Sequence, residues 1–294
     1  SGSLTLTKAV GLLPSAPALD GPGLPAVDGG LARRYLELLL AGHRPGRPLA
    51  GLHVVVDAAH GAASGLAEEL LDRLGARVSA IASAPDGRNI NRDCGATAPA
   101  RLAAAVLELG ADGGLALDGD ADRALIVDER GRVLDGDDIL LAWASELHGE
   151  GRLPGGRVVA TVMSNFGLER ALAERGLTTV RCPVGDRSVW LAMVASGAAL
   201  GGEQSGHVIC SHHGVSGDGL VTGSQLLAIA ARRGLPLSAL SDLRRLPQVL
   251  RNVPVARKLP FESLPRVVGE LAHTQSRLAA SGRVLLRYSG TEPL

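Results

Sequence analysis

Aromatic residues are scarce in this 294-residue chain: two Phe, two Tyr and two Trp, 2% in all. Base-stacking platforms need such side chains, so single-stranded nucleic acid is a poor partner. Net charge is also lacking, because 30 Lys and Arg balance 30 Asp and Glu. That balance removes the basic footprint expected of a protein that binds nucleic acid or an acidic membrane. Cysteine is rare, and Cys94, Cys182 and Cys210 are too far apart for a Cys-x-x-Cys zinc site or a disulfide framework. A reducing, cytoplasmic setting fits that usage. No apolar run is long enough to cross a bilayer, and no charged-then-apolar leader follows Ser1-Gly2-Ser3.

What is present is aliphatic. Hydrophobic residues make up 46% of the chain, enough for a sizeable core in two or three domains. Residues 1–30 are rich in Pro and Gly from Pro14 onward and read as an arm or linker. Regular alternation follows. Leu52–Ala59 is a continuous apolar run, as in a buried parallel strand. Leu66, Leu70, Leu71 and Leu74 then fall on one side of a helix that Gly75 ends. The rhythm continues with strands over 77–83, 114–117 and 124–128 and helices over 99–109 and 137–147. A second block repeats it, with strands over 157–163, 178–182 and 208–210 and helices over 168–175, 188–196 and 220–233. Such alternation predicts two tandem, mainly parallel α/β domains, over 31–150 and 151–245. Residues 246–294 predict a small, incomplete α+β unit: a strand over 249–256, a helix over 262–278 and a strand over 283–287.

Four segments carry chemistry. The first is Asp118-Gly119-Asp120-Ala121-Asp122-Arg123, at the end of a predicted strand, where α/β sheets place ligand sites. Three carboxylates two residues apart can converge on one hard cation, and all-oxygen donors favour Mg²⁺ or Ca²⁺ over zinc. Asp118, Asp120, Asp122 and Glu129 also match EF-hand positions one, three, five and twelve, but Arg123 stands where that loop needs glycine. Arg123 could touch a phosphate or only neutralise the aspartates. The second segment is Gly201–His207, in which Glu203, Ser205 and His207 alternate with other residues. Its carboxylate and hydroxyl can bind adjacent sugar hydroxyls, and its glycines permit close approach. The third, Arg287-Tyr288-Ser289-Gly290-Thr291, offers a cation, two hydroxyls and backbone N–H groups as a phosphate cradle. The fourth, Val184-Gly185-Asp186-Arg187, offers Arg187 to phosphate and Asp186 as a helix cap.

These four segments, in this order, resemble the α-D-phosphohexomutase superfamily. Asn89-Ile90-Asn91 with Cys94-Gly95, Thr161–Asn165 and Val184–Arg187 resemble its phosphoglucosamine mutase branch. The likeness runs from about Leu31 to Leu294. It implies a fold of four domains around a cleft, Mg²⁺ held by Asp118, Asp120 and Asp122, and sugar contacts from Glu203, Ser205 and His207. It further implies phosphate contacts from Arg187, Arg287, Ser289, Gly290 and Thr291, with Arg123 in support. The implied partner is a hexose or hexosamine phosphate, with homodimerisation left open. The implied reaction interconverts glucosamine 6-phosphate and glucosamine 1-phosphate through a phosphoserine of the first domain. The 294 residues hold no segment like that serine's Ser-His-Asn context. Ser211-His212-His213 lies beyond the sugar loop and does not correspond to it. Residues 1–30 are then read as a remnant of the first domain, and the chain by itself is expected to lack mutase turnover. A naturally shortened relative with other phosphosugar chemistry, and a non-catalytic binding protein, remain open alternatives.

Overall fold

The computed structural model describes residues 29–288. The chain divides into two compact units at Tyr35 and Leu36. Of the first, only the opening residues of helix α1 (Gly29–Ala41) are described. The arm over 1–28 lies outside the described residues. All that follows concerns the second unit.

The first block builds a five-stranded sheet in the order β2-β1-β3-β4-β5. Its strands are β1 (His53–Asp57), β2 (Arg77–Ile81), β3 (Gly113–Leu117), β4 (Ala124–Asp128) and β5 (Val133–Leu134). The pairs β1–β2 and β1–β3 are parallel, and β3–β4 and β4–β5 are antiparallel. Every residue of β1, β3 and β4 is buried, as continuous apolar runs require when both faces are covered. Helices α2 (Leu66–Arg73) and α3 (Ala100–Leu109) cross over between the parallel strands. Leu102 and Val106 of α3 pack with Val55, Ala116 and Val127, so close that a Cβ at Gly114 would lie 2.8 Å from Leu102 Cδ1.

The second sheet has the order β7-β6-β8-β9, from β6 (Arg157–Thr161), β7 (Thr178–Cys182), β8 (Leu200–Gly202) and β9 (Val208–Cys210). It too has a parallel centre and one antiparallel edge. The expected parallel character therefore holds at the middle of each sheet and gives way to hairpins at one side.

Helix α4 (Gly136–Gly149) follows the first sheet and is buried on nearly every face from Gly136 to Leu147. It packs against β4 and β5 of the first sheet and β8 of the second. Asp135 and Asp138 cap it reciprocally. The remaining helices of this block are α5 (Phe166–Ala173), α6 (Asp186–Ser196) and α7 (Gly219–Arg233). Although α7 follows the second sheet in sequence, it packs on β3 and β4 of the first. A Cβ at Gly223 would lie 2.4 Å from Leu115.

The strands expected at 249–256 and 283–287 are not formed. Both segments are irregular and flank α8 (Pro265–Leu278), none of whose residues is buried. A strand exists only where another strand takes its ladder of hydrogen bonds, and neither segment meets a partner strand among the described residues. Pro254 also removes one donor from the first segment.

Candidate functional site

The acidic loop sits where the sheet predicts, at the carboxyl end of β3. Asp118 is buried, Asp122 half-buried and Asp120 exposed. Asp118 Oδ1 accepts from the Arg123 N–H at 3.1 Å, and Asp118 O accepts from Ala121 N at 3.1 Å. That tight return puts Ala121 at a positive φ of 61°, which small side chains tolerate best. Two neighbouring loops lock the turn from outside. Gly119 O accepts from Ala62 N at 2.8 Å, and Gly61 lies so near that a Cβ there would stand 2.2 Å from the same oxygen. On the other side, a Cβ on Gly119 would meet Ile90 and the Asn91 amide at 2.7–2.8 Å. These flanking residues come from the Ala58–Ser64 and Pro85–Cys94 segments. The Asn89-Ile90-Asn91 run was the only sequence signal for them, and it did not reveal what they touch.

One oxygen from each of Asp118, Asp120 and Asp122 lies within 4.8 Å of the other two. The set is all oxygen, and Asp122 Oδ1 is buried without a hydrogen-bond donor. Burial, together with the Asp122 and Asp120 charges, pushes the Asp118 carboxyl up to about 6. A hard divalent cation would relieve both the repulsion and the unsatisfied oxygen, so these residues fit Mg²⁺. Arg123 lies between the carboxylates, with Nε 3.5 Å from Asp118 and 3.6 Å from Asp122. Here it stands as a partial neutraliser.

The Gly201–His207 segment arrives from the second sheet. Ala124 N donates to Gly206 O at 3.1 Å, and His207 Nδ1 lies 3.1 Å from Asp122 Oδ2. His207 is buried, and its Nε2 has no hydrogen-bond partner among the described residues. Glu203 Oε1 accepts from Gly185 N at 3.0 Å, which brings the Val184–Arg187 turn to the same place and leaves the second Glu203 oxygen unused by that bond. Ser205 and Arg187 are exposed. Gly185 is the residue before α6, and Asp186 lies inside the first turn, where its carboxylate accepts from Arg187 N at 2.6 Å. Three of the four expected segments therefore share one edge. Arg287 is exposed and lines a separate hollow with Val162 and Phe166. Ser289, Gly290 and Thr291 lie outside the described residues.

The sequence profile of the phosphoglucomutase/phosphomannomutase alpha/beta/alpha domain II matches residues 34–131, and that of domain III matches 135–246. The chain belongs to this phosphohexomutase superfamily. Its relatives include a phosphoglucosamine mutase of Symbiobacterium thermophilum, 50% identical over 261 residues, covering 88% of this chain and 58% of the relative. Another, from Thermobifida fusca, is 52% identical over 247 residues, covering 84% and 55%. The chain thus spans less than two thirds of the length of these phosphohexomutases. Among solved members, an Aspergillus fumigatus N-acetylphosphoglucosamine mutase in complex with GlcNAc-6P and magnesium shares the fold. Its TM-score is 0.70 at 23% identity, over 89% of this chain and 65% of that one. A phosphoglucomutase/phosphomannomutase family protein of Burkholderia thailandensis gives 0.65 at 30% identity, over 73% and 47%.

Beneath the loops, the first turn of α4 carries a feature the sequence reading passed over. Asp137 is fully buried, with Oδ2 accepting from Asn165 N at 2.8 Å and Oδ1 without a hydrogen-bond partner of good geometry among the described residues. Burial pushes its carboxyl up to about 6, against the lowering effect of the Asn165 N–H. The folded state therefore holds this proton more tightly than the unfolded chain, whose Asp titrates near about 3.9. Stability should fall as pH rises from about 4 to about 6, and stay lowered above that. Asp137→Asn removes the titration. Relative to wild type, the variant should gain about 1–3 kcal/mol between pH 4 and pH 7. Urea unfolding across that range measures it, and a pH-independent difference would refute the assignment.

Proposed function

We propose that this chain carries the metal- and sugar-binding parts of a phosphoglucosamine mutase, the enzyme type that interconverts glucosamine 6-phosphate and glucosamine 1-phosphate. The observation that carries the reading is the junction of the acidic loop with the Glu203–His207 loop. The Ala124–Gly206 hydrogen bond and the Asp122–His207 pair fix one against the other. The relatives named phosphoglucosamine mutase support the choice of amino sugar.

In this reading Asp118, Asp120 and Asp122 hold Mg²⁺, which offsets the charge of a phosphoryl group in transfer. Glu203 offers its free oxygen, and Ser205 its hydroxyl, to neighbouring sugar hydroxyls. His207 is held by Asp122, so the sugar loop and the carboxylates keep one register. Arg287, with Ser289, Gly290 and Thr291, binds the phosphate that does not react, and Arg187 at the shared edge offers a further guanidinium to phosphate. A mutase also needs a nucleophile that accepts and returns a phosphoryl group. These 294 residues hold no serine in the family's donor context, so the chain alone binds without measurable turnover.

Calorimetry with Mg²⁺, followed by phosphorus NMR with each glucosamine monophosphate, tests the proposal. Mg²⁺ should bind weakly to wild type and about tenfold or more weakly still to Asp120→Asn, which loses a charged donor. Each monophosphate should shift on binding without converting to the other. Equal Mg²⁺ affinity in both proteins would remove the carboxylates from the site, and rapid interconversion would demand a phosphoryl carrier not identified above.

A further inference from the structure

A cavity of about 400 Å³ opens between the 42–48 segment and the carboxyl-terminal halves of α4 and α7. Small-molecule pockets are typically about 300–1,000 Å³. None of its walls comes from the acidic or sugar loops. The sugar loop meets α4 at Gly136, whereas the cavity's first α4 residue is Trp143, seven residues on and so about 10 Å along the helix.

Its charge is unbalanced. Four arginines line it, Arg44, Arg47, Arg152 and Arg232, against two carboxylates, Glu146 and Glu150. Glu150 is shared by Arg44 at 3.0 Å, Arg152 at 3.2 Å and Arg232 at 3.8 Å. Glu146, which is buried, pairs with Arg232 and Arg233. A carboxylate can fully engage only some of the donors so arrayed, and Arg44 keeps 68% of its side chain exposed. Burial shifts both histidines, His43 and His213, toward the neutral form. Burial first, then His213 and Arg232, push His43 down to about 4, and its Nε2 meets Ser224 Oγ at 3.0 Å. The floor is apolar and narrow, from Trp143, Leu147 and Ile229, each only 2% exposed.

We propose that this cavity is an accessory site for a small amphipathic oxyanion. Arg44 and Arg152 hold the anionic group, a phosphate monoester or a carboxylate, and its ring or alkyl body lies against Trp143 and Ile229. A planar guanidinium pair suits either oxyanion, because both present two oxygens to a fork of donors.

The chain has two tryptophans, so Trp190→Phe leaves Trp143 as sole reporter in the 294-residue protein. The probes are phenyl phosphate, benzoate and inorganic phosphate at low ionic strength, with Trp143 emission read. One of the two ring-bearing probes should give a saturable change, and which one identifies the class of oxyanion. Arg44→Gln/Arg152→Gln should weaken it about tenfold, since two charge-assisted contacts are lost. Both arginines are well exposed, so the variant should keep its fold, and an unchanged unfolding midpoint checks this. Glu203→Gln, in the sugar loop, should leave the response intact, which separates this site from the phosphosugar reading. No saturable response to either ring-bearing probe would overturn the proposal. So would an unweakened probe affinity in the arginine variant, or a response lost in Glu203→Gln. Inorganic phosphate binding as tightly as phenyl phosphate would overturn the amphipathic part.

Discussion

Replacing Gly136 by alanine is expected to lower the unfolding free energy by about 3 kcal/mol, at the upper end of ordinary overpacking effects. Gly136 opens α4, and its N–H donates to Gln204 O at 3.0 Å. A Cβ there would stand 1.9 Å from Glu203 O and 2.9 Å from Gly206 N. Both are backbone atoms of the sugar loop, so no side chain can rotate away to make room. Either the helix start or the 203–206 loop must shift. A shift of the loop separates Gly206 O from Ala124 N and His207 from Asp122, and so takes the sugar loop out of register with the carboxylates. Weakened Mg²⁺ and monophosphate binding should accompany the lost stability. Gly214→Ala is the control, because nothing lies within 4 Å of a Cβ there, and its effect should stay within about 0.5 kcal/mol. Wild-type stability in Gly136→Ala would contradict the described approach of loop and helix.

The second large effect is expected at the pair of buried Asp138 and partly exposed Arg245. Asp138 is fully buried. Its Oδ2 pairs with Arg245, and its Oδ1 accepts from Ser241 Oγ at 2.7 Å. Arg245 also reaches Asp135 at 2.7 Å, so it ties the segment after α7 to the capped start of α4. Arg245→Met strands a buried carboxylate, which costs about 3 kcal/mol or more. Most of that cost belongs to the orphaned charge rather than to the lost bond. Asp138→Asn/Arg245→Met should therefore recover at least part of the loss, and a double-mutant cycle in urea measures it. A double variant no more stable than Arg245→Met alone would show that packing, not charge, dominates the site.

Both effects depend on contacts between segments distant in sequence, and that is where the sequence reading had least purchase. The acidic loop was legible because three carboxylates two residues apart have few other uses, and because the apolar run before them announces the strand that presents them. Glu203 and His207 were legible as candidates through the glycines around them. Their pairing with Gly185 and Asp122 was not, since hydrogen bonds across 18 and 85 residues leave no local trace. Asp137 escaped notice because an acidic residue in the first turn of a helix usually serves the helix dipole. Only its burial in the packed fold, against the opposing Asn165 N–H, makes it a proton-holding group.

The sequence by itself determined the local elements and their hydrophobic faces. Period-two and period-3.6 patterns reflect which side of a strand or helix is dry, and that is a property of neighbouring residues. It placed β1 as a buried strand and β3 and β4 as strands, and it put the carboxylates at the end of β3. Tertiary structure decided which elements share a core. Helix α7 follows the second sheet yet packs on the first, where Gly223 admits Leu115, and α4 follows the first sheet yet contacts both. It also decided that 249–256 and 283–287 form no strands. Their apolar patterning suits a ladder, but backbone N–H and C=O groups need partners across space, and these segments meet none among the described residues. Amphipathicity records that a face must be covered, whereas the surface that covers it is chosen only when the whole chain packs.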